Sequence, residues 1–189
     1  KFINLSKKNN IKIFRGKEMD CLNRVHNAAL KNNLDVIVFI TGDCPIFDYK
    51  ILNKLLKSFL KNKFDYSGNS FVRSYPDGMD IQIFSIKTLK KLEKMVYSKV
   101  EREHVTLGIK KNPSKFKIYN LIADKKNYWP SLALTLDTKE DFILIKKVLN
   151  YFNKKKKPFF TCQDTIRLLK TKKKWLSINN HILRESNKL

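Results

Sequence analysis

The segment from Asp35 to Ile40 constrains the fold more than any other part of the chain. The five residues after Asp35 are all apolar and mostly β-branched, and the run stops at Thr41–Pro45, before an apolar helical stripe begins. Such a run is typical of a strand that is buried on both faces, which requires helices on both sides of its sheet. The sequence therefore predicts an α/β fold, with a mostly parallel sheet flanked by helices.

Hydrophobic periodicity predicts alternating strands and helices along the rest of the chain. Asp20 is a candidate N-cap, and Thr138–Asp141 has the spacing of a capping box in which Asp replaces the usual Glu. We expect one α/β domain over residues 1–153 and a Lys-rich helical region, 154–189, that packs on it. The predicted strands are 11–14, 65–71, 80–84, 116–121 and 132–136, and the predicted helices are 20–33, 49–60, 86–97, 101–110, 138–153, 162–170 and 178–183.

The charge of the chain is strongly positive, with a formal net charge of +23 from 40 basic and 17 acidic residues. Only six of the basic residues are Arg, whereas nucleic-acid interfaces favour Arg for its bidentate hydrogen bonding. The abundant Lys, Asn, Ile, Phe and Tyr are the residues of AT-rich codons. We therefore expect no specific nucleic-acid partner, although a polyanion-binding module built on the Lys-rich C-terminal quarter stays open as an alternative.

The compartment is indicated by the cysteines and by the length of the apolar runs. No run approaches the ~20 apolar residues that a membrane-spanning helix needs. Cys21, Cys44 and Cys162 form no CxxC pair and are odd in number, which favours free thiols in a reducing environment over a disulfide framework. The sequence therefore predicts a cytoplasmic protein without a membrane span.

Two segments share one construction, in which a predicted strand ends at an Asp that precedes a turn and a helix. The two carboxylates are Asp43 and Asp137. In open α/β sheets, ligands bind outside the carboxyl ends of the strands, and Mg²⁺ commonly takes one or two carboxylates together with substrate phosphates. The spacing is thus compatible with a Mg²⁺ site. It is equally compatible with structural roles, Asp137 favouring the next helix and Asp43 making the turn before Pro45.

Five blocks in order span most of the chain. They are Phe14-Arg15-Gly16 with Asp20 and Arg24; Ile40–Pro45; Ser74–Asp80 followed by Glu101–Thr106; Leu136–Phe142; and Ile178–Ile182. Together they resemble the spore coat polysaccharide F-type branch of the cytidylyltransferases, which is related to the synthetases of CMP-sialic acid and CMP-Kdo.

The resemblance implies a nucleotide-diphosphosugar-transferase-like, Rossmann-like fold. It also implies an enzyme that transfers CMP from CTP to an acidic sugar and releases pyrophosphate, for the synthesis of a surface polysaccharide or glycan. Mg²⁺ would be bound by the catalytic carboxylates Asp43 and Asp137, where it would neutralise the charge that develops on the phosphate oxygens. A homodimer is the oligomeric state that the resemblance implies.

The resemblance also indicates residues that bind the substrates. Arg15 and Arg24 would hold a phosphate or a sugar carboxylate through paired hydrogen bonds. His104 is either a base or hydrogen-bond partner of the sugar or a structural histidine, and Glu103 is either a sugar ligand or an acid placed at a helix N-terminus. The full expected set of substrate-binding residues is Arg15, Asp20, Arg24, Asp80, Gln82, Glu103 and His104.

Two departures from the family pattern affect these expectations. The family begins with a strand and an Arg/Ser/Gly/Lys-rich loop that cradles the CTP phosphates, and nothing in this sequence matches it. We therefore expect an N-terminally truncated fold that binds CTP weakly or not at all. The family usually has Glu where Gln82 stands, which leaves the acceptor sugar open. A GT-A-like glycosyltransferase and an inactive remnant are the remaining alternatives.

Overall fold

The structure is a computed structural model, and it describes residues 2–184. One four-stranded sheet has the strand order β1–β3–β2–β4 and is flanked by helices. Its strands are short: β1 Val36–Phe39, β2 Tyr66–Gly68, β3 Gln82–Ser85 and β4 Ile118–Asn120. The α/β class predicted from the apolar run at Asp35–Ile40 is confirmed, but the expected burial on both faces is wrong: in β1, which lies at the edge of the sheet, Ile37 is buried and Val38 is exposed.

Helices account for most of the remaining regular structure. None of those within residues 2–184 combines the length and the apolar character that crossing a bilayer would take. A short 3₁₀ helix covers Pro113–Lys115. The α-helices are α1 Phe2–Lys8, α2 Cys21–Lys31, α3 Tyr49–Asn62, α4 Ile86–Met95, α5 Lys99–Glu103, α6 Leu107–Lys111, α7 Lys139–Lys154, α8 Cys162–Thr171 and α9 Lys173–Leu176.

The chain divides into two compact units. Within the described residues, the first unit comprises 2–37 and 84–118, and the second comprises 38–83 and 119–184. In the first unit the stripe of α2 that buries Leu22 and the stripe of α4 that buries Leu89 and Leu92 belong to the core. In the second unit α3 and α7 bury Leu55 and Leu144 completely.

Helix starts agree with the predicted capping residues. The Asp20 carboxylate accepts a hydrogen bond from the Asn23 N–H at 3.1 Å. At the start of α7, the Thr138 hydroxyl oxygen accepts from the Asp141 N–H and the Asp141 carboxylate accepts from the Thr138 N–H. Both predictions, the N-cap at Asp20 and the capping box at Thr138–Asp141, are confirmed.

The strand predicted at residues 11–14 is wrong. These residues follow α1 without regular structure, and Ile11 and Ile13 are exposed. Ile13 and Phe14 instead line a groove of about 540 Å³ along α2, beside Val25 and Ala29. Four alternating residues satisfy the period of a strand, but a strand also needs a hydrogen-bonding neighbour, and this segment instead runs beside α2.

The strand predicted at residues 132–136 is also wrong, because the extended segment changes partner along its length. Its Leu134 N–H donates to the Asp77 carbonyl at 2.7 Å, whereas its Leu136 N–H donates to the Asp43 carbonyl at 2.8 Å. An isolated parallel bridge between Asp77 and Ala133 is the result, rather than a continuous ladder.

Two predicted helices have different bounds in the structure. The helix predicted at 101–110 is two short helices, α5 and α6, which are separated at His104–Thr106. The helix predicted at 178–183 is wrong: α9 lies earlier, and residues 177–181 form turns. The reason is visible at Asn179, whose side-chain amide donates to the Ala133 carbonyl and to Asp141. Residues 185–189 of the predicted C-terminal region lie outside the described residues.

Candidate active site

The extended segment 132–137 organises the candidate site in the second unit. On one side it is hydrogen-bonded to Asp77, whose N–H donates to the Leu132 carbonyl at 2.8 Å. Four residues further on, the Leu136 N–H donates to the Asp43 carbonyl. Because Asp137 directly follows Leu136, these bonds bring the backbones of Asp43 and Asp137 close together.

Gly78 allows the turn at Asp77 to approach this segment. Its φ of +92° lies in the region that favours glycine, and a Cβ at this position would lie 2.4 Å from the Leu134 carbonyl carbon and the Thr135 nitrogen. Any side chain here would push the turn away from the segment. Gly78 thus permits the close approach in which Asp77 and the 132–137 segment are hydrogen-bonded.

Asp43 is the unsatisfied carboxylate of the site. The residue is half-buried, and its Oδ1 atom is buried without a hydrogen-bond partner among the described residues. A buried carboxylate oxygen without a partner is costly, and its presence in a native site calls for a ligand, a water or an ion. This is the property expected of a residue that binds a cation.

The Cys44 thiol lies beside two of the predicted site carboxylates. Burial raises its pKa to about 12; the nearby charges of Asp43 and Asp80 add to the increase, and a hydrogen bond with the Thr41 hydroxyl opposes it. The Thr41 Oγ1 to Cys44 Sγ distance is 3.2 Å. Cys44 is therefore a neutral thiol, and its surroundings show that Asp43 and Asp80 face the same neighbourhood.

Asp80 is held by an arginine that the sequence analysis did not select. The Arg73 guanidinium binds both Asp80 carboxylate oxygens, at 3.1 and 3.0 Å, and also lies 2.9 Å from the Asp77 carboxylate. Asp80 is thus fixed in a two-point ion pair, and its orientation is set by Arg73. Gln82 lies two residues further on, at the start of β3.

Asp137 is half exposed and is also paired with an arginine. Its Oδ2 atom lies 3.1 Å from Nη1 of Arg184, whose side chain is only 8% exposed. The same guanidinium binds the fully buried Asp141 and donates to the Thr135 hydroxyl at 3.0 Å. Burial opposes ionisation of Asp141, but hydrogen bonds from Arg184 and Asn179 and from backbone N–H groups hold its pKa well below that of an ordinary aspartate.

The residues present fit the binding of Mg²⁺ by a pair of carboxylates. No cluster of three or more His, Cys, Asp or Glu side chains suited to a metal occurs within residues 2–184. Mg²⁺ does not need one, because it keeps several waters and often takes only one or two carboxylates before substrate phosphates complete its shell. Asp43, with its unpartnered oxygen, and the half-exposed Asp137 supply such a pair.

In the first unit, Asp20 is occupied by structural interactions. One carboxylate oxygen caps α2, and the other accepts from Nε of Arg102 at 2.9 Å. The Arg102 guanidinium also binds Glu93 at 2.8 Å and donates to the Val96 carbonyl at 3.2 Å. Burial opposes the charge of Asp20, but the hydrogen bonds of Arg102 and Asn23 lower its pKa.

The two predicted phosphate-binding arginines have different environments. Arg24 donates to the carbonyls of Lys17 and Glu18, at 2.5 and 3.0 Å, and its side chain packs against Gly16. Arg24 therefore fixes the loop that carries Arg15, whereas Arg15 itself is exposed. Glu103 and His104 are also exposed, at the C-terminal end of α5.

The structure groups the predicted site residues by unit. Asp43, Asp80, Gln82 and Asp137 belong to the second unit, while Arg15, Asp20, Arg24, Glu103 and His104 belong to the first unit. The sequence did not single out Arg73 and Arg184, which bind four carboxylates, two of them in the predicted site residues Asp80 and Asp137. The available signal was the rarity of Arg in a chain whose basic residues are nearly all Lys.

The chain was compared with known proteins. No protein-family model matches it. It is 35% identical over 143 residues to an uncharacterized protein of Methanocaldococcus jannaschii. This match covers 76% of this chain and 58% of that relative. It is 27% identical over 163 residues to the spore coat polysaccharide biosynthesis protein SpsF of Bacillus subtilis. This match covers 86% of this chain and 66% of that protein. The chain thus spans less than two thirds of each of these two relatives.

A solved structure extends the comparison over nearly the whole chain. The structure of a cytidylyltransferase from Leptospira borgpetersenii serovar Hardjo-bovis superposes with a TM-score of 0.88 at 33% sequence identity. The match covers 97% of this chain and 75% of that chain. These findings confirm the resemblance carried by the five sequence blocks, and they show that the chain belongs to the cytidylyltransferase family.

Proposed function

We propose that this chain is a nucleotidyltransferase that transfers a cytidylyl group from CTP to a hydroxyl of an acidic sugar, for the synthesis of a surface polysaccharide or glycan. The observation that carries the proposal is the buried, unpartnered Oδ1 of Asp43, on a loop hydrogen-bonded to the segment that ends at Asp137. In a member of the cytidylyltransferase family, such a carboxylate pair supports metal-assisted phosphoryl chemistry.

The proposed reaction exchanges a phosphoanhydride bond of CTP for a phosphate ester bond to the sugar. The sugar hydroxyl oxygen bonds to the α-phosphorus of CTP, the bond from that phosphorus to the pyrophosphate oxygen breaks, and the hydroxyl proton passes to a base. Mg²⁺, when bound at Asp43 and Asp137, supplies positive charge to the phosphate oxygens. His104 is the candidate base or hydrogen-bond partner of the sugar, since its exposed imidazole is open to a substrate.

The remaining candidate residues would bind and orient. Arg15 is exposed on a loop fixed by Arg24, so its guanidinium is open to a phosphate or to the sugar carboxylate. Asp80 is held by Arg73 and would accept hydrogen bonds from sugar hydroxyls, with Gln82 near it. We propose the cytoplasm as the site of action, because the three cysteines are free thiols.

The first experiment measures pyrophosphate release with Mg²⁺ from each of the four nucleoside triphosphates, against a panel of acidic sugars. It is run on this chain and on a version extended by the N-terminal segment of the Bacillus subtilis relative. We expect pyrophosphate release from CTP that depends on one acidic sugar. In Asp43→Asn this release should fall at least about a hundredfold. Asp35→Asn, a change in a carboxylate at the other end of the same strand, is the matched control.

Two outcomes would contradict the proposal. Release that is unchanged in Asp43→Asn would remove the carboxylate from the mechanism. An absence of CTP turnover in both versions with every sugar, together with polyanion binding that collapses between about 50 and 200 mM salt, would favour the polyanion-binding alternative.

A further inference from the structure

Arg184 is the most extensively bonded side chain near the proposed metal site. Its guanidinium reaches three residues of the same stretch: it donates to the Thr135 hydroxyl at 3.0 Å, lies 3.1 Å from Oδ2 of Asp137, and binds both carboxylate oxygens of Asp141. The side chain is 8% exposed and that of Asp141 is fully buried. The guanidinium is therefore fixed in one position, not mobile at the surface.

Two carboxylates bind the Arg184 guanidinium, one from the buried side and one from the solvent side. Asp141 binds the guanidinium from the buried side through both of its carboxylate oxygens. Asp137 meets the same guanidinium from the solvent side and is 51% exposed. One cation is thus shared between a structural carboxylate and a carboxylate of the proposed metal site.

We propose that Arg184 is a positioning residue that orients Asp137 and lowers the affinity of the Asp43–Asp137 pair for a free divalent cation. The proposal rests on the function proposed above. Arg184 holds Asp137 by one oxygen, Oδ2, and places a fixed positive charge within a few ångströms of any cation bound there. The repulsion between the two cations weakens binding of the metal.

The consequence concerns the order in which the metal and the nucleotide bind. A pair of carboxylates weakened by an adjacent arginine binds free Mg²⁺ poorly, but it binds Mg²⁺ well when triphosphate oxygens complete the shell. Arg184 thereby favours arrival of the metal together with its nucleotide. The ion pair with Arg184 is what fixes the orientation of the Asp137 carboxylate.

The test is a titration of the protein with Mn²⁺ in the absence of nucleotide. Electron paramagnetic resonance measures the free Mn²⁺ at each point. Removing the charge with Arg184→Gln should tighten Mn²⁺ binding about fivefold. Arg184→Lys, which keeps the charge, should stay within about twofold of the wild type. In an Asp137→Asn background, Arg184→Gln should have no effect, because the carboxylate through which Arg184 acts is gone.

The outcomes separate this proposal from the proposed function. Mn²⁺ binding that is lost in Asp43→Asn but is unchanged or weaker in a folded Arg184→Gln would overturn the role of Arg184 alone. Binding indifferent to both Asp43→Asn and Asp137→Asn would overturn the metal site and this role with it. Circular dichroism checks the fold of each variant, and Arg184→Met, similar in length and uncharged, repeats the test if the Gln variant does not fold.

Discussion

At the scale of single residues, arginine marks the places where this chain needs geometry as well as charge. Lys outnumbers Arg by 34 to 6, yet Arg73, Arg102 and Arg184 each bind two carboxylates, and Arg24 binds two carbonyls. A planar guanidinium forms several hydrogen bonds in fixed directions, which an ammonium group cannot reproduce. In a Lys-rich sequence, each Arg was therefore a candidate for a fixed ion pair.

Gly78 gives a stability prediction at the same scale. Gly78→Ala should lower the free energy of unfolding by about 1–3 kcal/mol, since φ of +92° is strained for Ala and its Cβ would meet the backbone of Leu134 and Thr135. Urea unfolding measures the change. Gly42→Ala is the matched control, because a Cβ there meets nothing within 4 Å. Equal stability of the two variants would contradict the close approach at Gly78.

Asp141 gives a prediction about pH. Its pKa is lower in the folded protein than the value of about 3.9 in an unfolded chain. Its ionised form therefore stabilises the fold above that pH, and this contribution is lost as the pH falls toward the folded pKa. Asp141→Asn should be less stable than the wild type at pH 7, and the difference should shrink below about pH 4.

Urea unfolding between about pH 2.5 and 7 would measure this difference in the free energy of unfolding. These limits lie about one and a half pH units below and three above the pKa of Asp in an unfolded chain. Glu18→Gln, a change in an exposed carboxylate, serves as the control and should follow the wild type throughout. A gap between Asp141→Asn and the wild type that stays constant over the whole range would show that the charge of Asp141 is not what stabilises the fold.

At the scale of elements, one buried carboxylate accepts hydrogen bonds from the first turns of two helices of the second unit. Asp48 is 4% exposed; its Oδ1 accepts from the Lys50 N–H of α3 at 2.7 Å, and its Oδ2 accepts from the Cys162 N–H of α8 at 2.8 Å. The two helices lie far apart in the sequence. Local patterns indicated where each helix begins, but only the tertiary structure shows that Asp48, the N-cap of α3, also accepts a hydrogen bond from the first N–H of α8, whose own N-cap is Thr161.

Asp48→Ala should therefore destabilise the protein more than the loss of an ordinary cap. We expect a decrease of about 2–4 kcal/mol in the free energy of unfolding, because two buried N–H groups lose their acceptor. Ser98→Ala, which removes the single exposed cap of α5, should cost about 1 kcal/mol or less. The account of Asp48 fails if urea unfolding gives equal losses for the two variants.

At the scale of the whole molecule, the sequence predicted the fold class and the family better than the details of the site. The apolar run at Asp35–Ile40 was sufficient for an α/β fold because its β-branched pattern indicates a strand locally, even though Val38 is exposed. Residues 132–136 could not be predicted correctly from their apolar pattern, since their hydrogen-bond partner changes from Asp77 to Asp43 along the segment. The pairing of Asp137 with Arg184 was equally inaccessible, because 46 residues separate them in the sequence.

The central claim is that the carboxylate of Asp43 supports transfer of a cytidylyl group to a sugar. Its most direct test is mass spectrometry of the reaction of CTP, Mg²⁺ and the acidic sugars, since pyrophosphate release alone does not distinguish transfer from hydrolysis. The account predicts a CMP-sugar of the expected mass with the N-terminally extended wild-type chain and none with Asp43→Asn. CMP without any CMP-sugar, or equal product from both proteins, would contradict it.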